Sequence, residues 1–393
     1  MKITAIDLIQ VERIPENAQI PVFTRIHTDE GISGTGEVGV AILGFSAASA
    51  KVVEQVAPLL IGQNPLHHDR LWETLLRKTF WGQGNGGVIM GAYSAIDTAL
   101  WDIKGKFYNA PVHELLGGKY RDRLWSYASQ LQGGWKRPEF LRSPRDLGWF
   151  REAYQAARQE GYDAIKVDLL VGPEGTRFDT FQHGQHISHA VLRDAEAKLT
   201  LAREIFGQDA EIILENHAAT EVNGAIELAR IAEPFRIMYY EEPVTNLNPD
   251  QFKRISEATS IPLATGERVY TRYSYLPYLE NRSVAVVQPD VGNCGGITEA
   301  RRIADLAHIW GVGVQSHACN SPLSVAAALQ FEAAIPNFVI HETHTTNGLD
   351  AVRRLGVHDY QPVDGWFTVP DLPGIGEELS DWALDHATIT TLK

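Results

Sequence analysis

Along the first 40 residues apolar and polar positions partly alternate. ITAIDLIQVERI reads as a strand, and PVFTRIHTDEGISGTGEVGV reads as a hairpin turned at Asp29-Glu30-Gly31. Helical spacing comes next. SAASAKVVEQVAPLL opens on Ser46, placed to cap a helix, HHDRLWETLLRKTF continues the pattern, and AYSAIDTALWDIKGKFY sets Ala95, Ala99 and Ile103 on one stripe. The Gly-rich WGQGNGG between the last two is a loop rather than a linker, because apolar periodicity resumes at once.

From about residue 121 the pattern becomes short apolar runs separated by amphipathic stretches of helix length, the alternation of a parallel sheet. The runs are LWSYASQ, AIKVDLL, EIILENH, RIMYYEEP, IPLATGE, VAVVQPD, VGVQSHA and NFVIHETH. Eight strand and helix pairs are the content of a (β/α)8 barrel, about 250 residues long as a rule. Polar residues recur at the run ends: Glu215, Glu241, Glu267, Asp290, His317 and Glu342 are spaced 26, 26, 23, 27 and 25 residues apart. Each interval is close to one strand-helix unit, so all six belong at carboxyl ends of successive strands, which a barrel gathers on one face. Within ILENHA, strand alternation puts Glu215 and His217 on one side and Asn216 on the other; Lys166 and Asp168 share a side in the same way.

A chain of 393 residues exceeds one hydrophobic core, so two units or a barrel with an appended domain are expected. Net charge −14 argues against a general nucleic-acid binder and means that an acidic substrate needs local help, such as a metal. No apolar run is long enough for a membrane span, and Asp7 and Glu12 interrupt the opening before a secretory core can form, so a cytoplasmic address is the default expectation. Cys294 and Cys319 are too few for a disulfide framework and read as space-filling.

Three carboxylates on adjacent strand ends, Glu215, Glu241 and Glu267, form an all-oxygen set suited to a hard cation such as Mg²⁺. Glu242 has the opposite parity from Glu241 and reads as a structural ion-pair residue. Asp290 beside His317 would fix the imidazole tautomer and raise its basicity, the usual construction of a general base. Lys166 would hold developing negative charge on a carboxylate or an enolate oxygen. His183, His186 and His189 lack the i, i+4 pair of helical zinc motifs and read as a solvated insertion. GNCGGI is more simply a tight turn than an anion cradle; Trp81, Gln83, Trp135 and Tyr240 are packing residues before they are pocket residues.

Taken together, HTDEGISGTGE, AIDTALWDIKGKFYNAPVHELLGG, YYEEP, ATGE, QPDVGNCGGITEA and GVQSHA resemble the signatures of the enolase superfamily, in its mandelate racemase subgroup, and most closely its acid-sugar dehydratases. The resemblance covers nearly the whole chain. It implies a modified TIM-like (β/α)8 barrel over 121–355, and an α+β capping domain over 1–120 that is completed by the tail from about 356 to 393. It also implies one Mg²⁺ per active site held by Glu215, Glu241 and Glu267, Asp290 with His317 as base dyad, and a shared first step in which the α-proton of a carboxylate is removed to give an enediolate.

His217 matches the imidazole that protonates a departing β-hydroxyl in sugar-acid dehydratases, and Glu342 a carboxyl group near the substrate carboxylate. There are two departures: Glu215 stands where relatives usually carry Asp, and the family's Lys-x-Lys appears as Lys166-Val167-Asp168, without the second lysine that racemases use as base. The resemblance therefore implies a dehydratase of a small sugar acid, acting as a homo-oligomer. An epimerase or lactone cycloisomerase, with Asp168 or His217 as second acid or base, is the runner-up, and a silent ligand-binding relative the third reading.

Overall fold

The computed structural model describes residues 1–14, 19–41, 44–137, 145–170 and 179–393, the side chains at 182 and 183 excepted. An antiparallel sheet forms the cap: β1 (Ile3–Val11), β2 (Val22–Thr28) and β3 (Ser33–Glu37), with the terminal strand Ala387–Leu392 on the outer edge of β1. The β2–β3 hairpin turns where the sequence predicts, and Gly31 supplies the left-handed φ of 77° that the turn needs.

Two of the five residues of β3, SGTGE, are glycines, and that is what lets a helix lie on it. A Cβ at Gly34 would stand 2.2 Å from the carbonyl oxygen of Ala99, and one at Gly36 2.1 Å from that of Ala95. The Ala95, Ala99, Ile103 stripe of helix Gly87–Tyr108 is therefore the surface seated on the glycines. Ser46 does not cap its helix: Phe45 takes that position, and the Ser46 hydroxyl donates to the Ile20 carbonyl at 2.7 Å.

The eight predicted runs become eight parallel strands: β4 (Arg123–Ser129), β5 (Ala164–Asp168), β6 (Glu211–Glu215), β7 (Tyr239–Glu241), β8 (Leu263–Thr265), β9 (Val286–Val287), β10 (Gly313–Val314) and β11 (His341–His344). They neighbour one another in sequence order, and β11 pairs with β4. The ring closes through a single bridge from Val314 to Phe338, with Val314 N–H to Asn337 O at 2.8 Å and Val339 N–H to Val314 O at 2.9 Å. A short antiparallel strand, β12 (Trp366–Thr368), lies against β4 on the way back to the cap.

Alternation sorts the barrel side chains. Tyr127, Ala164, Ile213, Tyr239, Ala264, Val286 and Ile340 form an apolar plug inside the ring, while Ile165, Val167, Ile212, Leu214, Tyr240 and Leu263 join the core under the helices. Two residues along from the plug, with the same parity, stand Lys166, Glu215, Glu241 and Glu342. Residues Asp168, Glu215 and Glu241 form one row across β5, β6 and β7. The barrel thus has a dry floor with a polar layer on it.

Candidate active site

The polar layer is centred on a buried cation. Lys166 Nζ lies 3.0 and 3.1 Å from the Glu241 oxygens, 3.3 Å from Glu215 Oε2 and 3.0 Å from Glu342 Oε1. Burial works against its charge, but Glu215, Glu241 and Glu342 outweigh that and hold its pKa well above the ordinary value. Glu342 also accepts from Ser129 Oγ at 2.6 Å and from Ala318 N–H at 3.0 Å. Desolvation alone would neutralise it, yet Lys166 and His317 keep its carboxyl far below the usual range.

His317 Nδ1 is 2.8 Å from Asp290 Oδ2, and its Nε2 is 3.1 Å from Glu267 Oε2. A carboxylate at Nδ1 fixes the proton there, which leaves Nε2 as the nitrogen that faces the cavity. Burial opposes charging of this ring; the Cys319 sulfur, Glu342, Glu267 and the Asp290 hydrogen bond together prevail, and its pKa stands well above ordinary.

His217 reaches the same cavity by a route that alternation does not supply. β6 ends at Glu215, and His217 and Ala218 take left-handed φ values of 45° and 54°. Its Nδ1 lies 3.3 Å from Asp168 Oδ2 and its Nε2 3.1 Å from Glu215 Oε1. Desolvation would lower its pKa, but Glu215, Asp168 and Glu267 raise it to about 10. Asp168 occupies the position where a second lysine was expected from the resemblance, and there it braces an imidazole.

Glu215, His217 and Glu267 each offer a ligand atom within 4.8 Å of the other two. Glu215 Oε1 is buried and makes no hydrogen bond, while burial raises the Glu215 carboxyl well above its ordinary pKa against the opposing His217 and Lys166. A buried carboxylate oxygen whose one partner is the His217 ring, in a carboxylate-rich set, fits a hard divalent cation. Glu241 stands beside Glu215 in register, with its carboxylate turned to Lys166. Glu242 bonds Arg268 through both of its oxygens, and Arg268 Nε lies 3.6 Å from Glu267 Oε1 at the edge of the same group.

Three further residues of the layer carry no sequence assignment. Gln130 donates to Glu215 Oε2 at 2.6 Å, Ser129 holds Glu342, and Gln132 accepts from Asp168 N–H at 3.3 Å. The run ASQLQGG ends β4 in polar residues just as the other runs do, so the signal was present in the sequence. Elsewhere, Trp81 and Gln83 are exposed, whereas Trp135 and Tyr240 are buried packing residues. His186 is exposed and bonded to Glu227, His189 opens the next helix, and the His183 side chain lies outside the described residues. Both cysteines are buried thiols.

Residues 149–383 match the family described as enolase C-terminal domain-like, and residues 7–117 match the mandelate racemase / muconate lactonizing enzyme N-terminal domain. The chain belongs to this enolase-superfamily family. D-galactonate dehydratase of Ralstonia nicotianae is 34% identical over 92% of this chain and 89% of that protein, and D-xylonate dehydratase of Haloferax volcanii 32% over 90% and 82%. Among solved structures, a member of the enolase superfamily from Salmonella Typhimurium superposes over the full length of both chains with TM-score 0.94 and 42% identity. The 3,6-anhydro-D-galactonate cycloisomerase of Zobellia galactanivorans covers 99% of this chain and 100% of its own, with TM-score 0.83 and 27% identity. The eight parallel strands with an antiparallel N-terminal cap are the fold of this superfamily. Among the described residues, no helix is long and apolar enough to cross a membrane.

Proposed function

We propose that the protein is a hydro-lyase that dehydrates a sugar acid, an aldonate or aldarate, to a 2-keto-3-deoxy acid. The observation that carries this reading is a pair of carboxylate-braced imidazoles in one cavity: Asp290 with His317 at 2.8 Å and Asp168 with His217 at 3.3 Å. Elimination of water needs one group to take a proton and another to give one, on different carbons of one substrate. Each imidazole here has its own carboxylate at Nδ1, Asp290 or Asp168, so the two roles are separable.

Glu215 and Glu267, with Glu241 beside them, would hold a divalent cation such as Mg²⁺, which when bound supplies charge to a substrate carboxylate and its enediolate form. With Glu267 turned to the cation instead of to His317, the ring would lose the partner that holds it charged at Nε2, and that nitrogen, with Asp290 at Nδ1, would take the α-proton. His217, held charged by Glu215 and Asp168, delivers a proton to the departing β-hydroxyl. Lys166 keeps the Glu241 and Glu342 carboxylates paired, and Gln130 orients Glu215. The substrate is a small molecule; a homo-oligomeric assembly and a cytoplasmic address belong to the same reading.

The sugar-acid dehydratases among the relatives support this choice, while the cycloisomerase neighbour keeps an isomerisation as the competing reading. A screen of aldonates and aldarates with Mg²⁺, read by mass spectrometry and by proton NMR in D₂O, separates them, since dehydration loses one water and isomerisation loses none. His317→Asn is expected to abolish both turnover and α-deuterium exchange, by about 10³-fold or more, within the range of general-base contributions. His217→Asn should keep the exchange and lose the elimination. Elimination at the wild-type rate in His217→Asn would remove that residue from the mechanism.

A further inference from the structure

Residues 37–39 of the cap leave β3 and enter the barrel mouth between the loops that follow β9 and β10. Val38 roots them in the cap: it is buried against Val22 and Ala95, and its N–H donates to Val22 O at 3.0 Å. On one side, Gly39 N–H donates to Gly292 O at 2.8 Å, and Gly292 N–H donates to Asp290 Oδ1 at 2.7 Å. On the other side, the buried Glu37 carboxylate accepts from Ser321 N–H at 3.1 Å, Ser321 Oγ at 2.5 Å and Ser324 Oγ at 2.7 Å. Ser321 caps the helix Pro322–Ala333 that follows His317, and Gln19, also from the cap, donates to Cys319 O at 2.9 Å.

One short cap segment therefore grips the backbone next to both members of the Asp290–His317 hydrogen bond. The fit leaves no slack. A Cβ at Gly39 would meet Gly292 backbone atoms at 2.6, 2.7 and 2.8 Å, and one at Gly292 would meet the Gly39 Cα at 2.8 Å and Asp290 Oδ1 at 3.1 Å. Because the atoms met are backbone, relief has to come from moving a loop that carries the pair.

We infer that Glu37 and Gly39 are positioning residues that set the Asp290–His317 geometry from the cap. This rests on the reading of that pair as the proton-abstracting base. A buried joint that touches neither dyad loop exists elsewhere for comparison. Asp102 is buried in the cap, accepts from Ile375 N–H and from Thr35 N–H at 3.0 Å each and pairs with Lys106 at 2.7 Å, and it has no bond to either dyad loop.

The test compares Gly39→Ala, Glu37→Gln and Asp102→Asn in full-length protein labelled with ¹⁵N-histidine. The His317 Nδ1–H signal is assigned by its disappearance in His317→Asn. In Gly39→Ala the signal should shift or broaden away, while kcat falls about tenfold or more and KM stays within about threefold, as misplacement of a reacting group predicts. Glu37→Gln should do the same to a smaller extent. Asp102→Asn should lower the melting temperature and leave signal and kcat as in wild type. An unmoved signal in folded Gly39→Ala, or a moved one with wild-type kcat, overturns the inference; if Gly39→Ala does not fold, the isosteric Glu37→Gln decides on the same criteria. Should the wild type turn over no sugar acid, the dehydratase reading fails, and the signal comparison alone still decides whether the cap holds the pair.

Discussion

Lys166 is the least replaceable side chain of the polar layer. It is a buried ammonium within 3.3 Å of three buried carboxylates, and the Tyr127 ring lies 5.5 Å from it. Removing one member of a buried ionic cluster strands the others, which typically costs about 3–5 kcal/mol. Lys166→Met keeps most of the volume and deletes the charge. In EDTA it is expected to unfold at a clearly lower urea concentration than wild type, by about 3 kcal/mol or more, and Mg²⁺ should recover part of the loss because a cation again faces the same acids. Equal stability of mutant and wild type in EDTA would show that Lys166 is not their counter-ion. Parity alone distinguishes Glu241 from Glu242, and the structure pairs them differently, Glu241 with Lys166 and Glu242 with Arg268. Parity put His217 on the side of Glu215, and the structure has it there, although by a left-handed turn after Glu215 rather than by a continuing strand.

Two features of the strands decided what the sequence could disclose. β9 and β10 are two residues long, yet the runs VAVVQPD and VGVQSHA show them in the hydrophobic pattern, and the spacing of Asp290 and His317 marks where they end. The cap contacts, by contrast, were invisible: Asp97 meets Thr298, and Glu37 meets Ser321, across 201 and 284 residues with no local signature. GNCGGI is a case in point. The helix Gly296–Ile309 that it opens does receive an anion, but the anion is the protein's own Asp97, accepting from Thr298 N–H at 2.9 Å and Thr298 Oγ1 at 2.6 Å. Burial raises the Asp97 carboxyl from 3.8 to about 7 against those hydrogen bonds. A carboxyl whose pKa is higher folded than unfolded gives stability that is full below the unfolded pKa and is lost as pH rises through the folded one. Asp97→Asn keeps an acceptor for the Thr298 N–H and cannot ionise. Urea unfolding between pH 5 and pH 8 should therefore fall less steeply in Asp97→Asn than in wild type, by up to about 1.4 kcal/mol per pH unit over that window. Glu37, raised to about 7, and Asp102, raised to about 6, act in the same direction by burial, so the slope shrinks without vanishing. Parallel curves for the two proteins would mean that Asp97 is ionised throughout.

Cap and barrel share their ends as well as their interface. The first strand is hydrogen-bonded to the last, from Ile6 opposite Leu392 to Val11 opposite Ala387, so the cap sheet is built from both ends of the chain. The segment 37–39 ties the cap to the loops that carry Asp290 and His317. A ligand that binds only the folded barrel mouth should consequently stabilise the cap too. With Mg²⁺ at a hundredfold excess over its dissociation constant the linkage gain is about 2.7 kcal/mol. Hydrogen exchange is expected to slow in peptides of β1 and of helix Gly87–Tyr108 as much as in those of β6 and β8 when EDTA is replaced by Mg²⁺, because opening either unit releases the ion. The acids differ in what they contribute. Glu215→Gln and Glu267→Gln should each lose most of the Mg²⁺ increment in urea midpoint, since both offer atoms to the same small volume. Glu242→Gln, whose carboxylate already pairs with Arg268 and offers no atom to the Glu215, His217 and Glu267 group, should lower stability in EDTA and keep most of the increment. The reverse pattern, with the increment surviving in Glu215→Gln and vanishing in Glu242→Gln, would move the cation out of the barrel mouth and leave the two imidazoles without the group whose charge the proposed elimination needs.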